Sequence, residues 1–413
     1  MLIKISRIVC LLLIVFVASI YIPKYYWLKF EKNIRRPMVY YSPVNHEFLI
    51  SKLAGKEMFY VDRKGNKYDR DQFENLTPLL NYRQLISVGK LPDSLNGVAL
   101  NIESIRLNNI MLRVTTDEID VKPIQLFPLF ESRSGRVRLE MPDDYFRITD
   151  RFEFLDCQTN SINQDKTNLF TDALSKEKFS FPAKMISGNP NYKKPFDEGY
   201  FVLDSKNKLY HIKMVKGKPL CVFTNIPDSL DIVYMNINET PLREFYGFLF
   251  TKQGEAYLIS YDNYKLIKLP LDNFDMQKEN FSVIGDMFYR TISLTSAKSI
   301  RTIVTDRNYR VVDRYEDFWP GNYEMPAGAV AATIFPFALR LGDASSSFSN
   351  FYFRFSGIQS LLISIVLTIL TYLILRNRKI SFKKGWFDLI IVLCTGIFGF
   401  IAVLLVKNID NNN

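Results

Sequence analysis

Histidine is nearly absent from this 413-residue sequence, occurring only as His46 and His211. That scarcity argues against a histidine-based nucleophile–base dyad and against a histidine-rich zinc site. His211 follows Leu209-Tyr210 in an expected strand, which points to a structural or surface role and not to catalysis. No G-x-S-x-G elbow, phosphate-binding P-loop or dinucleotide glycine fingerprint occurs, so any nucleoside-triphosphate energy has to come from another chain. Cysteine is scarce too. Cys10 and Cys394 sit in apolar runs; Cys157 and Cys221 lie in the long middle, where an oxidising compartment permits a bridge and two buried thiols are the alternative. The acid-dense stretch at 62–71 (DRKGNKYDRD) lacks calcium-loop spacing and reads as a solvated hairpin. Nothing singles out a catalytic pair of acids, and neither a metal nor a cofactor is expected.

What is present is positive charge in particular places. The net charge is +10, from 53 basic and 43 acidic residues. Residues 1–36 and 376–413 hold 13 of the basic residues and only three acids, Glu31, Asp388 and Asp410, so 40 of each sign remain between them. The excess therefore flanks apolar runs. This is a membrane-topology signal and removes nucleic acid from the expected partners.

Three such runs follow. Residues 8–23 form a 16-residue uncharged run behind Lys4 and Arg7, read as an anchor helix, with a cleaved signal peptide as the competing reading. Residues 24–36 add a basic collar. Residues 357–375 give a second span and 386–406 a third, interrupted only by Asp388, which is expected to pair with Lys383 or Lys384 at the helix end. Between them the loop 376–385 carries Arg376, Arg378, Lys379, Lys383 and Lys384 with no acid, a strong cytoplasmic retention signal. Parity then puts the N-terminus inside, the body outside in the periplasm, and the tail 407–413 outside, all at the inner membrane. Ser356, Gly357, Ser360 and Ser364, and Gly396 and Gly399 in the third run, supply small residues for close helix packing.

The body, 37–320, reads as mainly antiparallel β. Met58–Asp62 with Lys67-Tyr68, Gly199–Asp204 with Lys208–Lys213, and Phe248–Thr251 with Glu255–Ser260 each alternate like strand, polar turn, strand. Weak helical spacing occurs at 85–94 and 170–178. Polar residues closing a strand, Asp62, Asp156, Asp204, Thr251 and Thr305, recur at steps near 47 or twice 47, with Asn109 at the midpoint of the double step. That period fits a six-bladed propeller-like array, with an ordinary sandwich, or two, as the alternative. A connector, 321–356, holds the uncharged run 325–339, read either as a closing strand or as a segment resting on the membrane, then a serine-rich joint at 345–347.

The segments GYFVLDSKNKLYHIK (199–213), REFYGFLFT (243–251) and FPFALRL (335–341) resemble a family of uncharacterised Bacteroidota membrane proteins with one early span, a β-rich external body and a closing two-span hairpin. The resemblance implies genes set beside ABC transporter ATPase and permease subunits, and supplies no catalytic residue. The expected function is a non-enzymatic accessory or sensor subunit of an ABC-type transport complex, its β domain binding a partner or ligand. A membrane-anchored hydrolase or lyase of envelope glycans, with carboxylates on a propeller face, is the rival. A permease proper is a third reading, for which three spans are too few.

Overall fold

The structure, a computed structural model, describes residues 2–30, 37–54, 57–121, 124–194, 196–321, 324–342 and 351–406. Lys32, Arg35, Arg36, Lys407, the serine joint and the side chain of Lys4 lie outside the described residues. Two compact units divide the chain: Arg35–Asp317, and Met1–Ile34 together with Phe318–Asn413.

The first of these is mostly β. Strands β1 (Val39–Ser42), β2 (Glu47–Ala54), β3 (Glu57–Val61) and β4 (Lys67–Tyr68) form one antiparallel meander. A short ribbon, β5 (Ser94–Leu95) and β6 (Val98–Ala99), and strand β7 (Ile110–Val114) follow. Strands β8 (Phe127–Pro128), β9 (Asp144–Ile148) and β10 (Phe152–Asp156) make a three-stranded sheet. Next come β11 (Met185–Gly188), β12 (Tyr200–Leu203), β13 (Leu209–Val215) and β14 (Lys218–Phe223), then β15 (Ile232–Ile237), β16 (Phe245–Thr251), β17 (Ala256–Ser260) and β18 (Leu266–Lys268). The last sheet joins β19 (Asn280–Gly285), β20 (Tyr289–Thr295), β21 (Ser299–Asp306) and β22 (Val311–Phe318) in order, with β7 added beside β19. Helices α2 (Arg70–Leu76), α3 (Tyr82–Ser87), α4 (Ile102–Asn108), α5 (Thr116–Asp120) and α6 (Gln164–Lys176) fill the connections; α1 belongs to the other unit.

Cores sit between successive sheets, and strand alternation feeds them. In β12, Tyr200 and Val202 enter the core shared with Phe146, Phe152 and Phe154 of the preceding sheet, while Phe201 and Leu203 enter the one shared with Met235 and Leu249 of the next. Strand β16 repeats this, its Phe248 and Phe250 facing Phe281 and Val283, its Tyr246 and Leu249 facing back. A strand covered on both faces has no polar side, so β12 and β16 read as unbroken apolar runs.

One turn recurs four times. Asp62, Asp204, Thr251 and Asp306 each accept a backbone bond from the residue three on and donate one to the carbonyl four on. The residue three on (Gly65, Asn207, Gly254, Tyr309) is left-handed. Each aspartate also accepts from two later N–H groups: Lys64 and Asn66 for Asp62, Lys206 and Lys208 for Asp204, Asn308 and Arg310 for Asp306. The aspartate thereby satisfies the turn backbone that no ladder reaches. Asp306, not Thr305, holds the position in the last hairpin. Asn109 does not head a hairpin either: Asn101 caps α4 by accepting from Glu103, and β7 leaves to pair with β19. The expected helix at 85–94 ends at Ser87, before the left-handed Gly89. Cys157 and Cys221 are free thiols, Cys157 exposed and Cys221 packed against the core around Phe146 and Tyr200, so the bridge is not formed.

The other unit is helical. Helix α1 (Leu2–Phe30) is continuous through Pro23 and, from Ile5, long and apolar enough to cross a membrane; so is α8 (Gln359–Asn377). Residues 325–339 are neither a closing strand nor a single element. Pro326 occupies the first turn of helix α7 (Pro326–Ile334), where its missing N–H costs nothing, and Phe337–Leu341 forms β23, paired with β24 (Phe351–Phe355).

The third apolar run departs from the expected span. It breaks at Gly396 into α9 (Phe382–Thr395) and α10 (Ile397–Leu405), 14 and nine residues long. At 1.5 Å per residue these measure about 21 and about 14 Å, short of a bilayer core of about 30 Å. Gly396 has φ +56°, and a Cβ there would meet Ser364 Oγ at 2.8 Å, so the break is both left-handed and tightly packed. A Cβ on Gly399 would lie 2.8 Å from the carbonyl of Ile391, eight residues earlier. A continuing helix rises about 12 Å over eight residues, far too much for this contact, so α10 folds back along α9. Ser360 and Ser364 are buried, whereas Gly357 (φ +103°) stands at the turn into α8, where a Cβ would meet nothing within 4 Å among the described residues.

Arg7 closes this unit. Its guanidinium lies 2.8 Å from Asp388 Oδ1 and donates to Asp388 Oδ2 at 2.9 Å and to the Val406 carbonyl at 3.3 Å. Asp388 is wholly buried, so its partner is Arg7 and not the lysine pair at 383–384. The start of α9 and the end of α10 therefore meet at the Arg7 end of α1. Leu11, Val15 and Ala18 pack with Ala402, Val403 and Phe398, and the Tyr26 hydroxyl donates to the Ala327 carbonyl at 2.7 Å.

Two outcomes follow. Arg7→Leu or Asp388→Leu alone strands a buried charge at about 3–5 kcal/mol and lowers the folded yield in mild detergent; the double variant recovers most of it. A double variant no better than either single one refutes the pairing. In the β unit, Asp204→Ala, which removes the buried acceptor for three backbone N–H groups including that of Ser180, costs about 1–3 kcal/mol in thermal unfolding. Asp306→Ala, at a more exposed turn, costs less.

Candidate functional site

Charged residues are rare in the interior of a β domain, so a cluster of them marks a site. In the β unit the loop between β15 and β16 supplies Glu239, Arg243 and Glu244 from six residues and sends them to two buried networks. The larger one gathers Lys194, Asp197 and Glu198 from the strand approach to β12, with His211 and Lys213 from β13. Lys194 Nζ lies 2.5 Å from both Asp197 Oδ1 and Glu239 Oε1 and donates to the Asn189 carbonyl at 2.7 Å. Glu239 Oε2 accepts from Asn189 Nδ2 at 2.7 Å. Glu198 pairs with Lys213 and stands 3.9 Å from Arg243, whose guanidinium rests 4.2 Å from the Phe196 ring centroid.

His211 is fully buried and stacked on Phe201 at 4.3 Å. Its Nε2 meets the Glu198 carbonyl at 2.5 Å and its Nδ1 the Tyr264 hydroxyl at 2.9 Å. Burial holds its pKa down to about 3, against the raising effect of the Glu198 carbonyl. The ring therefore stays neutral and serves as a hydrogen-bonded spacer, and its burial leaves no surface role. Burial pushes Asp197 up to about 6, with Lys194 opposing and Glu239 adding to the rise. Gly199 lets the chain pass close here: its φ is +69°, and a Cβ would meet the Ile212 carbonyl at 2.1 Å.

The second network is tighter. Arg290, fully buried, donates to Glu244 Oε2 at 2.6 Å and to the carbonyls of Asp286 and Tyr289. The Tyr309 hydroxyl donates to Glu244 Oε1 at 2.5 Å. Tyr309 and Tyr264 both carry left-handed backbone, an unusual state for an aromatic residue, and both deliver a hydroxyl to one of the networks. A cleft lined by Tyr41, Thr77, Asn109 and Asp286 has room for about one water, ~20 Å³.

Acids thus converge, which sequence spacing did not reveal: Asp197, Glu198 and Glu239 come from loops some 40 residues apart. Their three carboxylates face Lys194, Lys213 and Arg243 and are themselves shut away from solvent, so the arrangement cross-links loops and offers no accessible acid–base pair. Among the described residues no group of three or more His, Cys, Asp or Glu is placed to hold a metal ion. Of the residues singled out from sequence, Arg7 joins Asp388, and Ser364 meets Gly396; Arg376, Arg378, Lys379, Lys383 and Lys384 cluster at the turn between α8 and α9.

Residues 38–305 match the profile of a family described as a domain of unknown function (DUF4857), a span wholly within the β unit. No curated protein matches. Among solved structures, a similarity is found to PorZ, described as an essential bacterial surface component of the type-IX secretion system of Porphyromonas gingivalis, at 11% identity and a TM-score of 0.22. It covers 67% of this chain, which spans about a quarter (26%) of that protein's length. So low a TM-score carries no argument about fold or role.

The buried acid gives a pH test. Below its unfolded value near 4 Asp197 is protonated in both states; as pH rises through about 6 the folded chain has to ionise it in a dry site, and stability falls. Asp197→Asn removes that penalty. Between pH 4 and pH 7 the variant gains on the wild type by up to roughly 3 kcal/mol in denaturant unfolding. A pH-independent difference between the two refutes the assignment.

Proposed function

We propose, for a chain that belongs to the DUF4857 family of domains of unknown function, a membrane-anchored, non-enzymatic accessory or sensor subunit of an ABC-type transport complex. Its β body stands outside the inner membrane and binds a partner or ligand there. The observation that carries this is the helical unit: two span-length helices and a folded-back hairpin, joined by the Arg7–Asp388 ion pair, with α8 apolar and exposed along its length. Such a unit anchors and docks, and is too small to enclose a transport pathway. The transport-complex part rests on the resemblance at 199–213, 243–251 and 335–341.

In this reading α1 and α8 cross the bilayer and stay in the chain, and α9–α10 is re-entrant. The N-terminus, the basic loop 376–385 and the tail then share the cytoplasmic side, which leaves every terminal positive cluster except the 24–36 collar inside. The body is read as propeller-like. Support comes from successive sheets packed face to face in chain order, beginning at Met185, Ile232 and Asn280, 47 and 48 residues apart. The first sheet also meets the last, Arg63 to Asp313 at 2.6 Å and Phe48 to Tyr315 at 5.6 Å, as a closing ring requires. A glycan hydrolase needs acids facing an open funnel, and the acids that converge here are sealed.

Two measurements test this. A cytoplasm-active reporter fused after residue 413 is expected to be active and a periplasm-active one silent; the reverse restores a third crossing. Tagged protein purified in mild detergent is expected to bring ATPase and permease chains with it, and recovery without them sinks the transport reading.

A further inference from the structure

We propose that the β23–β24 hairpin is the surface through which a second copy of this chain binds, edge to edge within the membrane; this rests on the reading that α1 crosses the bilayer. Strand β24, Phe-Tyr-Phe-Arg-Phe, is exposed along its whole length, Phe353 at 65%. Among the described residues it pairs with β23 alone, so its outer edge presents backbone N–H and C=O groups without a ladder. The Phe351 ring lies 6.3 Å from that of Phe16, and Phe16 sits near the middle of the apolar stretch Ile5–Phe30. At 1.5 Å per residue it is about 17 Å from Ile5, which sets the strand at hydrocarbon depth.

An open strand edge is not tolerated there, because lipid tails neither donate nor accept hydrogen bonds. A transmembrane helix from another protein does not mend it either, since its own backbone groups already bond within the helix. Only another strand supplies the missing ladder, and β24 suits its own copy. Antiparallel pairing about a twofold axis through Phe353 sets Phe351 opposite Phe355 and Tyr352 opposite Arg354. The arginine–tyrosine contact is then made twice, two phenylalanine pairs flank it, and no arginine faces an arginine. The product is a four-stranded sheet with β23 on each outside, and β23 already lies against α1 of its own chain.

Disulfide trapping in native membranes tests the pairing. In a chain whose Cys10, Cys157, Cys221 and Cys394 are replaced by serine, Phe353→Cys is oxidised with copper phenanthroline. Paired antiparallel residues approach within about 4.5–5.5 Å between Cα atoms, within disulfide reach. Most of the protein is expected to move to twice the monomer mass, while Leu362→Cys on the exposed face of α8 stays monomeric. Phe351→Cys is expected to cross-link only when co-expressed with Phe355→Cys. A monomeric Phe353→Cys, equal cross-linking at Leu362→Cys, or a product of another mass overturns the proposal. Alkaline carbonate extraction of the same membranes separates the two readings. Release of the chain sinks α1 as a span and the dimer with it; a retained chain that fails to cross-link sinks the dimer alone.

Discussion

A charge removed from water has to find an opposite charge or a full set of hydrogen bonds, and that constraint organises both units of this chain. In the helical unit it pairs Arg7 with Asp388, and the pairing, with Arg7 donating also to the Val406 carbonyl, returns the end of α10 to the end where α1 begins. In the β unit it draws Lys194, Asp197 and Glu239 into contact and Arg290 onto Glu244. Neither set is strong evidence of stability in itself, because desolvation offsets most of the Coulombic gain. What such pairs impose is a penalty on separation, because removing one partner leaves the other charged and buried.

The repeated aspartate turn solves the same problem for uncharged groups. A tight hairpin leaves N–H groups that the ladder does not reach, and one carboxylate accepts two of them. This is why Asp62, Asp204 and Asp306 are individually polar yet partly or wholly buried. It also explains the left-handed Tyr309, whose backbone strain is offset by the hydrogen bond its hydroxyl donates to Glu244.

Local pattern carried much of the β architecture. Hairpins at 58–68, 199–213 and 248–260 were visible because alternation and turn residues act within a dozen positions. What escaped was set by distance. Strand β7 looks like half of a hairpin at Asn109 but pairs with β19 some 170 residues later, and nothing near Asn109 encodes that choice. Thr305 passed for the turn residue because it precedes Asp306, and only the hydrogen bonds distinguish them. The third apolar run looked like a span because composition does not register a left-handed glycine in close contact with Ser364. The acids of the larger network were illegible for the same reason: each sits in an ordinary polar loop, and only the stacking of sheets brings them together.

The Arg7–Asp388 pair joins residues 381 positions apart, which has a consequence in time. At about 5–20 residues per second, ribosomal synthesis separates the two by roughly 20–80 seconds. Throughout that interval the first helix waits for Asp388 while the whole β unit emerges and has time to fold. The last hydrophobic segment therefore arrives as a key to a lock already in place, and the helical unit is the last part of the molecule to acquire its shape.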